Sequence, residues 1–119
     1  MDSLGIDLIE ISRIAAAAGN PRFARRIFTD RERAGFTGHP RRIAEEMAGK
    51  FAAKEATIKV LGRRTFWKEI EVLNLPTGKP YIVLRGRCVE IAAGRTVVVS
   101  ITHSREYAAA VAAYSGAEE

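Results

Sequence analysis

The stretch RRIAEEMAGKFAAKEATIKVLG, residues 41–62, decides the fold, because it reads as one long helix that ends at Gly62 as its C-cap. At about 100° per residue, the apolar stripe of this helix consists of Met47, Phe51, Ile58 and Leu61. Lys54 falls inside the stripe, where an ammonium group must reach solvent or meet an anion. Glu55 and Lys59 lie on one flank as i,i+4 neighbours, and an ordinary surface ion pair is the alternative to a ligand site there. We expect this helix to face a charged ligand rather than bulk water.

Outward from the long helix, the sequence predicts short elements of alternating type. Periodicity, caps and turn residues indicate a strand at 3–11, helices at 12–19, 22–29 and 30–36, a β-hairpin at 69–85, a helix at 88–94, and strands at 96–104 and 106–114. This order predicts an α+β fold with a mostly antiparallel sheet packed against the long helix and the short helices.

Length and composition limit the class of protein. A chain of 119 residues with 47% hydrophobic and 28% charged residues is typical of one globular domain, predicted to span 1–119. No apolar run approaches the roughly 20 residues of a membrane span, and the start MDSLGID lacks the pattern of a signal peptide, so a cytoplasmic protein is expected. Cys88 is the only cysteine, which excludes an internal disulfide and a zinc site built on cysteine pairs.

The net charge of +5 is concentrated in one part of the chain. Eight arginines lie between Arg13 and Arg42, against only Asp30 and Glu32. Such a basic face attracts nucleic acid, phosphorylated cofactors or acidic proteins, although a solvated arginine-rich surface is the simpler alternative. In a surface that binds nucleic acid, we would expect aromatic side chains among the arginines to stack on bases. The phenylalanines of this stretch are better explained as anchors that hold a short helix to the core.

Polar residues in apolar strands are the candidate site residues. Asp7 lies among isoleucines and leucines, so its charge needs a partner, either a backbone group or a hard divalent cation held together with Glu55. His103 and Ser104 end a predicted strand, and His103 suits a phosphate or ribose contact. A serine hydrolase is not indicated, because the sequence contains no GxSxG motif.

Four blocks of the chain resemble the signature blocks of one family. The blocks are GIDLIEISR (5–13), GKFAAKEATIK (49–59), GKPY (78–81) and SITHSREYAAA (100–110). They are similar to those of holo-[acyl-carrier-protein] synthase, the small bacterial type of 4′-phosphopantetheinyl transferase, and they follow the same order along almost the whole chain. Members of that family move 4′-phosphopantetheine from coenzyme A to a serine of apo acyl carrier protein and release adenosine 3′,5′-bisphosphate.

The resemblance implies roles for individual residues. Asp7 and Glu55 become the Mg²⁺ ligands, with Lys59 at the pyrophosphate and Glu55 as the candidate general base, so that these three form the catalytic group. The implied contacts to coenzyme A are Lys50, Lys54, Lys59, Gly78, Lys79, Pro80, His103 and Ser104. Arg13, Arg22 and Arg26 are implied to bind an acidic helix of the carrier protein. A homotrimer with sites between subunits is also implied, without nucleic-acid or membrane partners.

Three departures from the family pattern qualify these expectations. The segment after the long helix, 62–69, is shorter than usual and contains Trp67. Lys50 stands where arginine is common, which removes bidentate geometry, and Ser104 replaces a frequent threonine. The expected role is fatty acid biosynthesis; the alternatives are transfer to a polyketide or peptide synthase carrier, or a basic anion-binding or nucleic-acid-binding module.

Overall fold

Five α-helices and five strands occur in residues 3–116, which are the residues that this computed structural model describes, and their order is the one expected from the sequence. They are β1 (Leu4–Glu10), α1 (Ile11–Ala17), α2 (Pro21–Ile27), α3 (Asp30–Ala34), α4 (Pro40–Leu61), β2 (Ile70–Asn74), β3 (Pro80–Leu84), α5 (Arg87–Ala92), β4 (Thr96–His103) and β5 (Tyr107–Ser115). A short 3₁₀ turn at Trp67–Glu69, which the sequence did not predict, precedes β2.

The strands form two antiparallel sheets, which confirms the α+β prediction. β5 is the central strand of the larger sheet and pairs with β1 on one side and with β4 on the other. β2 and β3 form the predicted hairpin. The register places Asp7 opposite Ala110, and it places His103 opposite Ala108.

Helix α4 packs along the larger sheet with a surface of small residues. It begins at Pro40, a favoured residue in the first turn, and ends at Gly62, whose φ of 79° is left-handed, as predicted for a C-cap. Four of its alanines are fully buried: Ala48, Ala52, Ala53 and Ala56. Small side chains let the backbones approach closely, so the partner of this flank is the sheet. Among residues 3–116, neither α4 nor any shorter helix combines the length and apolar character that a membrane crossing requires.

The apolar alternation of β1 faces outward. Leu4, Ile6 and Leu8 are 60%, 64% and 65% exposed, whereas the alternate residues, which include Gly5 and Ile9, pack against α4. Neighbouring strands add Val98 and Val111, which share this side by register. We call these five residues, Leu4, Ile6, Leu8, Val98 and Val111, the outer sheet face. The polar residue Asp7 therefore lies on the side of the core.

Candidate active site

A close contact between β1 and α4 brings the two predicted metal ligands together. Gly5 packs against the backbone of Ala56, where any larger residue would collide with the carbonyl oxygen. Asp7 follows two residues later on the same face of the strand, and Glu55 precedes Ala56 on the helix. Both carboxylates line one cavity of about 330 Å³, which we call the carboxylate cavity. The cavity is completed by Leu8, Ile9, Arg13, Ile14, Ala17, Phe23 and Phe51.

Each of these carboxylates has its own cationic partner. Lys59 Nζ lies 3.8 Å from Asp7 Oδ1 and also donates a hydrogen bond of 2.7 Å to the carbonyl of Ile6. Arg64 Nη1 lies 3.7 Å from Glu55 Oε1. Burial raises the pKa of Asp7, and Lys59 partly offsets this effect. Glu55 and Lys59 therefore do not form the i,i+4 ion pair that was the alternative to a ligand site. Each of them pairs with a residue outside α4.

Lys54 lies in the interior, as its place in the apolar stripe indicated. Its ammonium group donates to Glu32 Oε1 at 2.9 Å, to the carbonyl of Trp67 at 3.0 Å and to the carbonyl of Ile70 at 2.6 Å. Both Lys54 and Glu32 are 0% exposed. Burial lowers the pKa of Lys54, and Glu32 opposes the shift. An ammonium with three interior acceptors has no donor left for a ligand, so Lys54 has a structural role in place of the predicted contact to coenzyme A.

Four other residues predicted to contact coenzyme A come together in a second cavity. Lys50, Gly78, Pro80 and His103 line a space of about 360 Å³. Lys50 is 6% exposed, and burial lowers its pKa. His103 Nε2 lies 3.7 Å from Glu45 Oε1. This group lies where the β2–β3 turn and the end of β4 meet α4.

The remaining two predicted contacts lie beside this second cavity. Lys79 is exposed in the turn between β2 and β3, next to Gly78. Ser104 follows β4, and together with His103 and Arg105 it lines a neighbouring open cavity. The backbone N–H of Ser104 donates to the carbonyl of Tyr107 at 2.8 Å, which fixes the β4–β5 turn.

The carboxylate cavity and the second cavity share no lining residue. Helix α4 contributes to both, through Phe51 and Glu55 on one side and through Gly49 and Lys50 on the other. Within one chain, the predicted site residues therefore lie in two separate groups, one at each of these cavities. We call the two groups half-sites.

The three predicted carrier-binding arginines lie on α1 and α2, and one of them lines the carboxylate cavity. Arg13 lines that cavity directly. Arg22 is exposed on α2, where its backbone N–H donates to the side chain of Asn20. Arg26 lines a larger cavity of about 540 Å³ with the segment 64–69 and Arg87.

Sequence reasoning missed Arg64 and Glu32. Helical spacing relates residues within α4, but the left-handed Gly62 turns the chain back, and no spacing rule connects residue 64 with Glu55. From the sequence, Glu32 could be recognised only as a residue that caps a helix. It does have this role, because its side chain accepts a hydrogen bond from the backbone N–H of Thr29. Its bond to Lys54 spans 22 residues of sequence.

Comparison with known proteins identifies the family of this chain. Residues 3–112 match the model of the 4′-phosphopantetheinyl transferase superfamily. The chain is 49% identical to the holo-[acyl-carrier-protein] synthase of Alkaliphilus metalliredigens, covering 92% of this chain and 94% of that protein. The chain belongs to the holo-[acyl-carrier-protein] synthase family. It is therefore an enzyme of the phosphopantetheinyl transferase class, as the four blocks indicated.

Solved structures of holo-[acyl-carrier-protein] synthases share the fold. The enzyme of Plasmodium yoelii superposes with a TM-score of 0.84 at 29% identity, over 98% of this chain and 95% of that one. The Bacillus anthracis enzyme, solved in complex with CoA (3′,5′-ADP), gives a TM-score of 0.78 at 35% identity, over 94% of each chain. The fold predicted from the sequence is thus the fold of this family.

Proposed function

We propose that this enzyme transfers 4′-phosphopantetheine from coenzyme A to a serine of apo acyl carrier protein and releases adenosine 3′,5′-bisphosphate. The observation that carries the proposal is the meeting of Asp7 and Glu55 in one cavity, with Lys59 beside Asp7. The complex of the Bacillus anthracis relative with CoA (3′,5′-ADP) supports coenzyme A as the donor.

The carboxylate cavity fits Mg²⁺. No cluster of three or more histidine, cysteine, aspartate or glutamate side chains suited to a metal occurs in residues 3–116. A pair of carboxylates suits Mg²⁺, which commonly keeps waters and takes further ligands from substrate phosphates. Burial raises the pKa of Asp7, and a cation held beside this carboxylate would oppose that shift, as Lys59 already does in part. Asp7 and Glu55 would hold the ion, which supplies charge neutralisation on the pyrophosphate.

The reaction is a phosphoryl-type transfer, in which positioning and charge neutralisation dominate. The serine hydroxyl oxygen bonds to the phosphorus that carries pantetheine. The bond from that phosphorus to the bridging oxygen breaks, and its electron pair leaves with adenosine 3′,5′-bisphosphate. Glu55 is the candidate acceptor of the hydroxyl proton, and Lys59 neutralises charge that develops on the leaving group.

The second half-site suits the nucleotide end of coenzyme A. Lys50 and His103 are candidate contacts for the 3′-phosphate, with Gly78 and Pro80 beside the adenine. Because the two half-sites are separate in one chain, we propose that a complete site combines the carboxylate cavity of one subunit with the second cavity of its neighbour in a homotrimer. The exposed apolar residues of the outer sheet face support such an assembly.

The carrier protein is proposed to dock along α1 and α2. Arg13 lines the carboxylate cavity, and Arg22 and Arg26 add positive charge on α2, so that these helices suit an acidic helix of the carrier. Fatty acid biosynthesis is the proposed role, and a polyketide or peptide synthase carrier is the alternative within the same activity. The cytoplasmic location stays a prediction.

The decisive experiment is the intact mass of a bacterial apo acyl carrier protein after incubation with this enzyme, coenzyme A and Mg²⁺. We expect the mass to rise by one phosphopantetheine group, and we expect EDTA to prevent the rise. An unchanged carrier mass, with carriers of all three pathways tested and the enzyme folded, would contradict the proposed function.

A further inference from the structure

Arg64 lies just after the end of α4, and its guanidinium lies close to both Glu55 and Trp67. Nη1 is 3.7 Å from Glu55 Oε1, and the guanidinium carbon is 5.6 Å from the ring centroid of Trp67. The preceding residue, Arg63, is exposed and makes no ion pair or ring contact with any residue in the range 3–116. Of the two adjacent arginines, only Arg64 lies beside a carboxylate of the site, and its own side chain lines the neighbouring cavity of about 540 Å³.

The core anchors the backbone that carries Arg64. Trp67 stacks on Phe51 with ring centroids 5.0 Å apart and ring planes 27° apart, and Phe51 lines the carboxylate cavity. The carbonyl of Trp67 accepts a hydrogen bond from the fully buried Lys54. Helix α4 therefore holds the shortened segment 62–69 from two of its own residues. The position of Arg64 follows from this anchoring, while its side chain stays 66% exposed.

The charges around the two carboxylates suggest what Arg64 does. Lys59 pairs with Asp7, and Arg64 pairs with Glu55. An ion pair as exposed as Arg64–Glu55 contributes little to stability, so its position calls for another explanation. A guanidinium offers a planar fork of donors that matches phosphate oxygens, and it stacks well on an aromatic ring. Each of the two carboxylates therefore has a cation beside it, Lys59 at Asp7 and Arg64 at Glu55, and either cation could bind a phosphate that approaches the pair.

We propose that Arg64 is a phosphate-binding residue for the transfer, which exchanges Glu55 for a phosphate oxygen of coenzyme A when the nucleotide binds. Trp67 is the positioning residue that holds the guanidinium. The inference rests on the proposed function, because coenzyme A supplies the phosphate. The segment 62–69 then has a defined role, since it brings a cation to Glu55, whereas Lys59 lies beside Asp7.

The kinetic test compares Arg64→Ala with Arg63→Ala, which removes the same charge one residue away. Arg64→Ala should lower kcat/KM for coenzyme A by about 10²-fold, the size expected for loss of one positioned donor. Arg63→Ala should stay within about twofold of wild type, and the KM for the carrier should be unchanged in both. Arg64→Lys should give an intermediate value, because it keeps a charge without the fork. A rise in the KM for the carrier alone would overturn the proposal, because it would place Arg64 in carrier binding.

Binding of coenzyme A without the carrier gives a readout that does not need turnover. Trp67 is the only tryptophan of the chain, so its fluorescence reports directly on the stacked guanidinium. Coenzyme A should change the emission of wild type and of Arg63→Ala. Arg64→Ala should lose this change and bind coenzyme A about tenfold more weakly by calorimetry, with an unchanged circular dichroism spectrum.

The outcomes separate this inference from the proposed function. Wild type that binds coenzyme A but leaves every carrier unmodified would contradict the proposed function, and the comparison of coenzyme A affinities between Arg64→Ala and Arg63→Ala would still decide the role of Arg64. Equal affinities and equal kinetic parameters in these two variants would overturn the role of Arg64 while leaving the transfer intact. Wild type that fails to bind coenzyme A would overturn both.

Discussion

Gly5 on β1 lies so close to Ala56 on α4 that a Cβ atom at residue 5 would come within 2.0 Å of the Ala56 carbonyl oxygen. Backbone oxygen cannot move aside as a flexible side chain can, so glycine is required here by close approach. The contact fixes β1 against the helix, and Asp7 then reaches the cavity that Glu55 lines. A residue without a side chain thus positions the two carboxylates.

Replacing Gly5 by alanine should separate β1 from α4. We expect a destabilisation of about 1–3 kcal/mol, as for other overpacked sites, and a loss of transfer activity. Gly35→Ala is the matched control, because its Cβ would meet its nearest neighbour at an ordinary 3.5 Å. Urea unfolding and the carrier mass assay measure both effects. Wild-type stability in Gly5→Ala would show that β1 can shift without harm.

Asp7→Asn and Glu55→Gln should each remove a proposed metal ligand while preserving shape. Transfer should fall by about 10³-fold, the effect of losing several kcal/mol of charge stabilisation. Glu106→Gln, an exposed carboxylate between β4 and β5, is the control and should keep its activity. Calorimetric titration with Mg²⁺ and coenzyme A provides the binding measurement. Full transfer by either site variant would exclude that carboxylate from the reaction.

Glu32→Ala should be among the most destabilising substitutions in the chain. It leaves the Lys54 ammonium buried and without its anion, a change that typically costs about 3–5 kcal/mol. Arg41→Ala, which breaks the exposed pair with Glu45, should cost less than about 1 kcal/mol. Urea unfolding of the two variants tests this order. The double change Glu32→Gln with Lys54→Met should recover part of the stability, because it removes the unpaired charge as well.

The lowered pKa of Glu71 on β2 leads us to expect that the folded protein loses stability in acid. Burial alone would raise its pKa, but hydrogen bonds from Arg31, Thr29 and Arg85 more than reverse this and lower the pKa from 4.5 to about 2. A carboxylate with a lowered pKa in the folded state stabilises the protein above its unfolded pKa. This stabilisation, about 3 kcal/mol, should therefore be complete above about pH 4.5 and disappear as the pH falls toward 2.

Unfolding of wild type and of Glu71→Gln between pH 2 and pH 6 measures this contribution. The variant should lose the part of the pH dependence that belongs to Glu71, so the two stability curves should converge toward pH 2. Parallel curves across this range would show that Glu71 keeps an ordinary pKa in the folded protein.

A charge on the outer sheet face should disrupt the proposed trimer. Ile6→Glu places a carboxylate at a position that is 64% exposed in the single chain. If this face is buried between subunits, the variant should be monomeric by light scattering and should lose transfer, because the half-sites no longer meet. Val89→Glu, an exposed apolar position on α5, should leave the assembly unchanged. A monomeric wild type would remove the basis for the shared site.

The sequence by itself determined the elements, their order and the family. The periodicity of 41–62, its glycine cap and the turn at 76–79 are local signals, and they predicted α4 and the hairpin close to their observed bounds. The polar residue Asp7 in an apolar strand and the charged residues Lys54 and Glu55 in a helix were visible as exceptions to the local pattern. Such signals depend on neighbours along the chain, so they can be read without the fold.

Only the tertiary structure decided the contacts between distant parts of the chain. The apolar side of β1 turned out to face outward, because Gly5 must face α4 and the period of a strand is two. The position of Lys54 in the sequence suggested a contact to a ligand, but its ammonium group donates its hydrogen bonds to Glu32 and to two backbone carbonyls. Arg64 pairs with Glu55 because Gly62 turns the chain and Lys54 anchors Trp67. Partner choice depends on distances through space, and no spacing in the sequence encodes them.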